Sequence, residues 1–371
     1  MKIAVIGAGP GGLFAALAAR RQNISVDLFE KRQVGAGIVC GECIFDSLSI
    51  FPRPGKGLLR PIQEIIMQGR RGYNFAIGRY RPLWMMDRKT WQRDLARRAR
   101  DAGAVVHENT AVRPGDLAVM RGSYDWIIDA SGAPCVTSRL YSFQADYFHQ
   151  FLLAYQFVLQ GDFGALMPRL KFAFFEDMPA RFQPAYYWVF PKDEHTANVG
   201  VVCTVNGSLP GGDPDLKNLL GDVLKRENLG DCVIAERGGG IAASQIIPRL
   251  VYDNIILAGD AAGLASPLHG GGIDLACLSG VLAVEALSGG PAKVAGYRQR
   301  LKDILRERKA VEDIVIRKMR SFSFEQFDRL LAGVTDRSLF TRIKTGLAHP
   351  DLLYATIRWF TTKKEIPPWP V

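Results

Sequence analysis

No apolar run in this sequence reaches the roughly 18 residues that a membrane-spanning helix needs, so an integral membrane protein is not expected. Cysteine is sparse, with six residues at 40, 43, 135, 203, 232 and 277 spread over 371 positions. Such scatter gives no disulfide framework, and a reducing compartment is the simpler assumption. One Cys-x-x-Cys pair occurs without a second, and the histidines at 107, 149, 195 and 349 fit no ligand spacing, so no metal centre is predicted. Walker A and Gly-x-Ser-x-Gly sequences are missing, as are internal repeats and low-complexity segments. The start, with Lys2 before an apolar stretch, has the outline of an export signal. Its glycines and Pro10 break the helix such a signal requires, so a cytoplasmic location is expected.

What is present suits a globular protein: 48% hydrophobic and 23% charged residues exclude wholesale disorder. Net charge is +10, and Tyr297 to Arg320 alone carries nine Lys/Arg against four Asp/Glu. A polyanionic neighbour would account for this, as would a solvated basic helix face. No nucleic-acid module is recognisable, and no nucleic-acid partner is expected.

The chain opens with "KIAVIGAG", a strand running into glycines, then the helix "GGLFAALAARRQ" and a second strand, "ISVDLFEK", a βαβ unit with parallel strands and a right-handed crossover. In the middle, "FLLAYQFVLQG", "RLKFAFFED", "AYYWVFPKD" and "TANVGVVCTV" predict an antiparallel sheet. The two-residue strand period puts Tyr186, Trp188 and Phe190 on one face, an aromatic wall. "NIILAGDAAG" then returns to a buried strand, and "GGGIDLACLSGVLAVEAL" reads as a glycine-entered helix. From Tyr297 the pattern is helical and basic, and the prolines of "KKEIPPWPV" stop it.

Gly7, Gly9 and Gly12 form Gly-x-Gly-x-x-Gly between the first strand and helix, where they permit a tight turn, close approach to a pyrophosphate, and helix packing. Glu30, with Lys31 beside it, ends the second strand eighteen residues after Gly12, where an acid meets the ribose hydroxyls of an adenosine. Gly259 and Asp260 follow a buried strand about 230 residues beyond Glu30, a distance that serves FAD rather than NAD. In FAD proteins of the hydroxylase type such an Asp holds the ribityl or pyrophosphate region. The helix entered through Gly271, Gly272 and Ile273 points its N-terminus at the flavin ring. Asp129 and Gly132, followed by Ser138 and Arg139, look like the middle motif of the same flavoproteins, and Arg88 lies where they keep an arginine near the flavin phosphates.

With "YYWVFP" at Tyr186, Trp188, Phe190 and Pro191, and Cys40-Gly41 ten residues after Glu30, the chain resembles the geranylgeranyl reductase family of FAD-dependent oxidoreductases, over roughly its first 290 residues. The resemblance implies an α/β fold of the hydroxylase-like type: a Rossmann-like FAD domain over 1–140 and 245–295, an inserted antiparallel substrate domain over 141–244, and a helical region over 296–371. It also implies hydride transfer from reduced flavin to a carbon-carbon double bond of a prenyl lipid, with NADPH or ferredoxin as the outside electron donor. Trp188, Phe190, Phe172 and Phe174 would line the apolar substrate site, though aromatics at period two are also the mark of a plain sheet core. An isolated alkene needs a proton as it accepts hydride, and Tyr186 or the Cys40 thiol is the candidate source. Gly41 would bring the Cys40 loop close to the flavin.

Cys43 is open between a dithiol with Cys40 and an inert buried residue, and His269 between a flavin-edge group and a helix-capping one. The tail segment with Leu352, Leu353, Ile357, Trp359, Phe360, Lys363 and Lys364 could lie on an anionic membrane as a peripheral contact, or pack on the protein's own FAD domain. A flavin monooxygenase or halogenase, and an electron-transfer flavoprotein serving a quinone, are the competing functions.

Overall fold

The computed structural model describes residues 1–46, 55–79, 82–207, 214–362 and 366; Lys363 and Lys364 lie outside these. The opening strand Lys2–Ile6 is buried from Ile3 to Ile6, as a central parallel strand covered on both faces must be. It pairs in parallel with Ser25–Phe29 on one side and Trp126–Asp129 on the other. Val105–His107 and Ile255–Leu257 extend the sheet outward, and Val251–Tyr252 closes one edge antiparallel, giving six strands. Chain succession reverses at the opening strand, so a crevice forms outside the carboxyl ends of the central strands.

Helix Pro10–Arg21 follows the glycine turn, and helix Ile273–Ser288 packs against it. The contact is backbone to backbone: a Cβ at Gly280 would sit 2.1 Å from the Gly11 carbonyl oxygen. Every residue from Asp274 to Val284 is buried, which explains a helix with no polar face.

The four strands read from the middle of the sequence form one sheet with three more, in the order Val233–Ala243, Phe151–Gln160, Thr196–Val205, Ala185–Pro191, Leu170–Phe174, Ile65–Gln68 and Gly72–Phe75. The last two strands come from the 1–140 stretch, and the Leu170–Phe174 to Ile65–Gln68 pairing is parallel. One face of this platform packs Tyr187, Val189, Val199 and Val201 against Leu216, Leu220 and Val223 of helix Leu216–Arg226. The other face carries Tyr186, Trp188 and Phe190 toward a small sheet of Cys43–Phe45, Leu83–Met86 and Leu58–Pro61. Ile62, Leu83, Met85 and Phe45 fill this second, apolar interlayer.

Helix Pro291–Ser321 begins in the nucleotide core, where Val294, Tyr297 and Leu301 are buried, and runs outward to helices Phe324–Thr335, Leu339–Ala348 and Pro350–Thr361. Its cations are largely engaged within the protein: Arg300 pairs with Glu285 at 2.7 Å, Lys318 with Asp351 at 3.0 Å, and Lys309 with Asp313 at 3.2 Å. Leu352, Ala355 and Trp359 of the last helix pack on Val311 and Ile314 of the long helix, while Ile366 reaches the nucleotide core. Among the described residues no helix is long and apolar enough to cross a membrane.

Candidate active site

Gly7, Glu30, Asp129 and Gly259 all stand at the carboxyl ends of strands in the six-stranded sheet, so four separated motifs meet at one crevice. Gly7 has φ +94°, and a Cβ there would lie 2.5 Å from the Ala130 carbonyl oxygen. A Cβ on Gly12 would lie 1.9 Å from the Gly7 carbonyl oxygen, so neither position admits a side chain. Glu30 accepts hydrogen bonds from the Ala8 N-H at 2.8 Å and the Arg32 N-H at 3.1 Å, which ties the acid to the glycine turn; Lys31 is exposed beside it.

Asp129 organises the loop that follows its strand. It is completely buried, and its oxygens accept from the Ser131 N-H (3.0 Å), the Thr137 N-H (2.8 Å) and the Thr137 hydroxyl (2.6 Å). It shapes the loop that carries Gly132. Ser138 is likewise buried, donating to the Cys135 carbonyl, and Arg139 points to solvent.

The turn after Ile255–Leu257 is fixed from several sides. Ser279 Oγ accepts from the Gly259 N-H at 2.8 Å, Tyr147 donates to the Ala261 carbonyl at 2.6 Å, and Tyr297 donates to the Leu257 carbonyl at 3.0 Å. Asp260 is exposed at the crevice mouth while protein encloses its other sides; lost hydration raises its carboxyl pKa, and the positive charge of Arg88 opposes the rise. Arg88 opens helix Arg88–Asp101 and donates to Gln92 at 2.8 Å.

The residues fit a bound dinucleotide on observations of their own. A Cβ at Gly9 or Gly132 would meet nothing within 4 Å, so backbone lies open to the crevice at both. Arg88 Nε is buried without a hydrogen-bond partner among the described residues, a donor awaiting an acceptor.

Cys40 and Gly41 lie where the crevice meets the aromatic wall. Asn198 Nδ2 donates to the Cys40 carbonyl at 2.9 Å, Gln156 donates to the same oxygen at 3.3 Å, and Trp188 Nε1 donates to Asn198 Oδ1 at 2.7 Å. A Cβ on Gly41 would come within 3.1 Å of the Phe190 ring, and one on Gly200 within 2.2 Å of the Trp188 indole, so both glycines make room for the wall. Tyr186, Trp188 and Phe190 are 5–6% exposed, and ring centroids run 6.3 Å from Tyr186 to Trp188 and 6.1 Å on to Phe190. Phe172 and Phe174 are only half-buried and continue the wall, Phe172 at 4.8 Å from Phe190 and Phe174 at 6.3 Å from Tyr186.

Tyr186 donates its hydroxyl to the His269 carbonyl at 2.8 Å, joining the wall to the loop before Gly271, Gly272 and Ile273. Burial pushes its phenol pKa up, and Cys43 adds to the shift. Cys43 is a free, partly buried thiol packed against the apolar interlayer, where lost hydration pushes its pKa up and keeps it protonated. Cys40 is also free, half-exposed, and accepts the Glu42 N-H at 3.3 Å.

Two polar clusters at the site carry no motif. Glu42, 8% exposed, accepts the Arg88 N-H at 3.0 Å and pairs with the Lys192 ammonium, linking the Cys40 loop, the Arg88 helix and the platform. Behind the glycine-entered helix, Arg308 donates to Glu312 at 2.8 Å and lies 3.4 Å from Asp274, and Ser266 donates to Glu312 at 2.7 Å. His269 accepts the Gly271 N-H on Nδ1 at 3.1 Å, leaving its proton on Nε2, 4.0 Å from Glu312. Burial, with Arg308 adding, lowers its pKa to about 4, so it is neutral near pH 7. It is thus a loop-fixing group held edge-on to Phe45 at 5.8 Å.

A glycine turn at a strand switch point and an acid after the second strand define a dinucleotide-binding protein, with an aromatic wall beside the same crevice. Residues 5–41 match the model of the NAD(P)-binding Rossmann-like domain. The chain is 30% identical to a digeranylgeranylglycerophospholipid reductase of Methanothrix thermoacetophila, over 81% of this chain and 83% of that one. It is 29% identical to the reductase of the same name from Methanosphaerula palustris, over 76% and 75%. A geranylgeranyl bacteriochlorophyll reductase-like protein of Thermoplasma acidophilum superposes with TM-score 0.75 at 21% identity, over 96% of this chain and 98% of that one. The chain belongs to the geranylgeranyl reductase family of FAD-dependent oxidoreductases. A flavin-dependent halogenase also superposes, with TM-score 0.61 at 20% identity over 97% and 70%, a likeness of fold alone.

Proposed function

We propose that the chain binds FAD in the crevice and saturates carbon-carbon double bonds in the isoprenoid chains of a glycerophospholipid, the substrate class in its archaeal relatives' names. The observation that carries the reading is the Trp188–Asn198–Cys40 chain of hydrogen bonds, which ties an apolar aromatic wall to the loop beside the nucleotide crevice.

The chemistry that FAD would supply when bound and reduced is hydride for one carbon of the double bond, with a proton needed at the other. Gly7, Gly9 and Gly12 would admit its pyrophosphate, Glu30 and Lys31 would take the adenosine ribose side, and Arg88 with Asp260 and Gly259 would hold the phosphate and ribityl side. Asp129 acts through the loop that presents Gly132. Gly271, Gly272 and Ile273 offer the positive end of a helix to the ring, and Gly41 keeps the Cys40 loop thin against Phe190. Trp188, Phe190, Phe172 and Phe174 exclude water from the prenyl chain. Burial keeps Tyr186 protonated but makes it a weaker acid, so its hydroxyl, donated to the His269 carbonyl, suits orienting a proton source as well as donating; the Cys40 thiol is the second candidate.

In this reading the FAD domain comprises 1–140 and 245–295, the substrate domain 141–244, and the helical region 296–371, with Ile65–Phe75 lent to the substrate platform. Electrons come from outside, from NADPH or ferredoxin, and a peripheral contact with the bilayer supplies the lipid. The test is anaerobic reduction with dithionite followed by addition of a digeranylgeranyl glycerophospholipid. A mass gain of one H2 per bond supports the reading, and no gain with any prenyl lipid rejects it.

A further inference from the structure

Seven of the fourteen large hydrophobic side chains exposed among the described residues lie between 339 and 360. Leu339, Phe340, Ile343 and Leu347 are 64%, 76%, 50% and 68% exposed, and they recur at the spacing of one face of helix Leu339–Ala348. That helix buries none of its residues. A monomer does not expose such a stripe without a use for it. The final helix, which the sequence left open between a membrane contact and packing on the protein, packs Leu352, Ala355 and Trp359 on the long helix and leaves Tyr354, Ile357 and Phe360 exposed.

We infer that helix Leu339–Ala348 is a docking element that lies in the surface of an anionic bilayer, with Leu339, Phe340, Ile343 and Leu347 among the acyl chains and Arg337 and Lys344 at the headgroups. The inference rests on the reading of the substrate as a lipid. Charge selects the partner: Arg337 and Lys344 make no ion pair among the described residues, unlike the cations of the long helix, and the chain carries a net +10. An apolar stripe bordered by unpaired cations is the pattern of an interfacial helix, which gains from buried apolar area and from anionic headgroups together. Position supports the same partner. Helix Phe324–Thr335 sets Phe327 edge-on to Phe174 of the aromatic wall at 4.9 Å, and its Gly333 packs directly on Thr345 of the exposed helix. One short helix therefore separates the apolar interlayer from the exposed stripe, which sets the bilayer contact on the side of the molecule where the aromatic wall ends.

The experiment compares the FAD-loaded full chain with a Phe340→Asp/Ile343→Asp double variant in co-sedimentation with vesicles of phosphatidylcholine, with and without phosphatidylglycerol. Both side chains are exposed, so the variant keeps its fold, checked by flavin absorbance and melting temperature. Wild type is expected to sediment with the anionic vesicles and less with the neutral ones, and the variant to lose on the order of ten-fold in partitioning. Reduction of lipid in vesicles should fall with binding, while reduction of a short, detergent-dispersed prenyl alcohol stays the same. Equal binding by the variant, or no binding by wild type, overturns the proposal. So does a wild-type dimer that the variant converts to monomer, since the stripe is then a self-interface. If vesicles are bound but no prenyl compound is reduced in either form, the docking stands and the substrate reading falls.

Discussion

Asn198 holds the backbone of Cys40 in place: its Nδ2 donates to the Cys40 carbonyl at 2.9 Å while its Oδ1 takes the Trp188 indole N-H at 2.7 Å. Asn198 is completely buried in the middle of the Thr196–Val205 strand, so both ends of its amide are spoken for away from water. Replacing it with leucine strands the indole N-H and removes the shorter of two hydrogen bonds to the carbonyl. Asn198→Leu should cost about 1–3 kcal/mol of stability and lower kcat more than flavin content. Chemical denaturation and flavin absorbance, measured beside turnover, check the split; unchanged kcat would mean that the Cys40 loop needs no such hold.

Cys40 and Cys43 should differ under the same substitution. Both thiols are partly exposed; Cys43 packs against the apolar interlayer, where lost hydration pushes its pKa up, whereas Cys40 sits in the loop that Asn198 holds beside the wall. Cys40→Ser is expected to damage turnover and Cys43→Ser to leave it nearly intact, with steady-state rates on a prenyl substrate as the readout. Equal damage from both would point to a working dithiol.

Much of the nucleotide half was legible because local pattern and local structure coincide there. A glycine turn between a buried strand and a small-residue helix has few other uses, and the two-residue period alone puts Tyr186, Trp188 and Phe190 on one face. What escaped is long-range. Glu42 meets Lys192 across 150 positions, Arg308 meets Asp274 across 34, and no periodicity announces such pairs. The strands Ile65–Gln68 and Gly72–Phe75 were also missed, being short and joined to the platform only through Leu170–Phe174. Nor does the motif around Asp129 announce that its carboxylate accepts hydrogen bonds from Ser131 and Thr137 of its own loop.

The buried cluster behind the glycine-entered helix should reveal itself when broken. Arg308 is 2% exposed between Glu312 and Asp274, whose charges it balances. Arg308→Met leaves two buried carboxylates without their cation, at a cost of about 3–5 kcal/mol. A paired Arg308→Met/Glu312→Leu variant should recover part of that loss in melting temperature, because the stranded charge beside Ser266 is removed along with its partner. No recovery would show that the cluster's value lies in orienting Ser266 and His269.

His269 sets an acid limit on the fold, and the sign follows from its proton balance. Its pKa falls from 6.5 when free to about 4 in the folded chain, so below pH 6.5 the unfolded chain binds more protons than the native one. Its contribution is complete above 6.5, drains away as pH falls toward 4, and changes no further below that; over the window it amounts to at most about 3 kcal/mol. Glu312, whose carboxyl Arg308 holds below its usual range, loses stability in the same direction at lower pH. His269→Gln should therefore flatten the dependence of unfolding free energy on pH between 4 and 6.5 while leaving the steeper loss below it. Denaturant titrations at closely spaced pH values separate the two, and an unchanged slope in the upper window would place the protonation elsewhere.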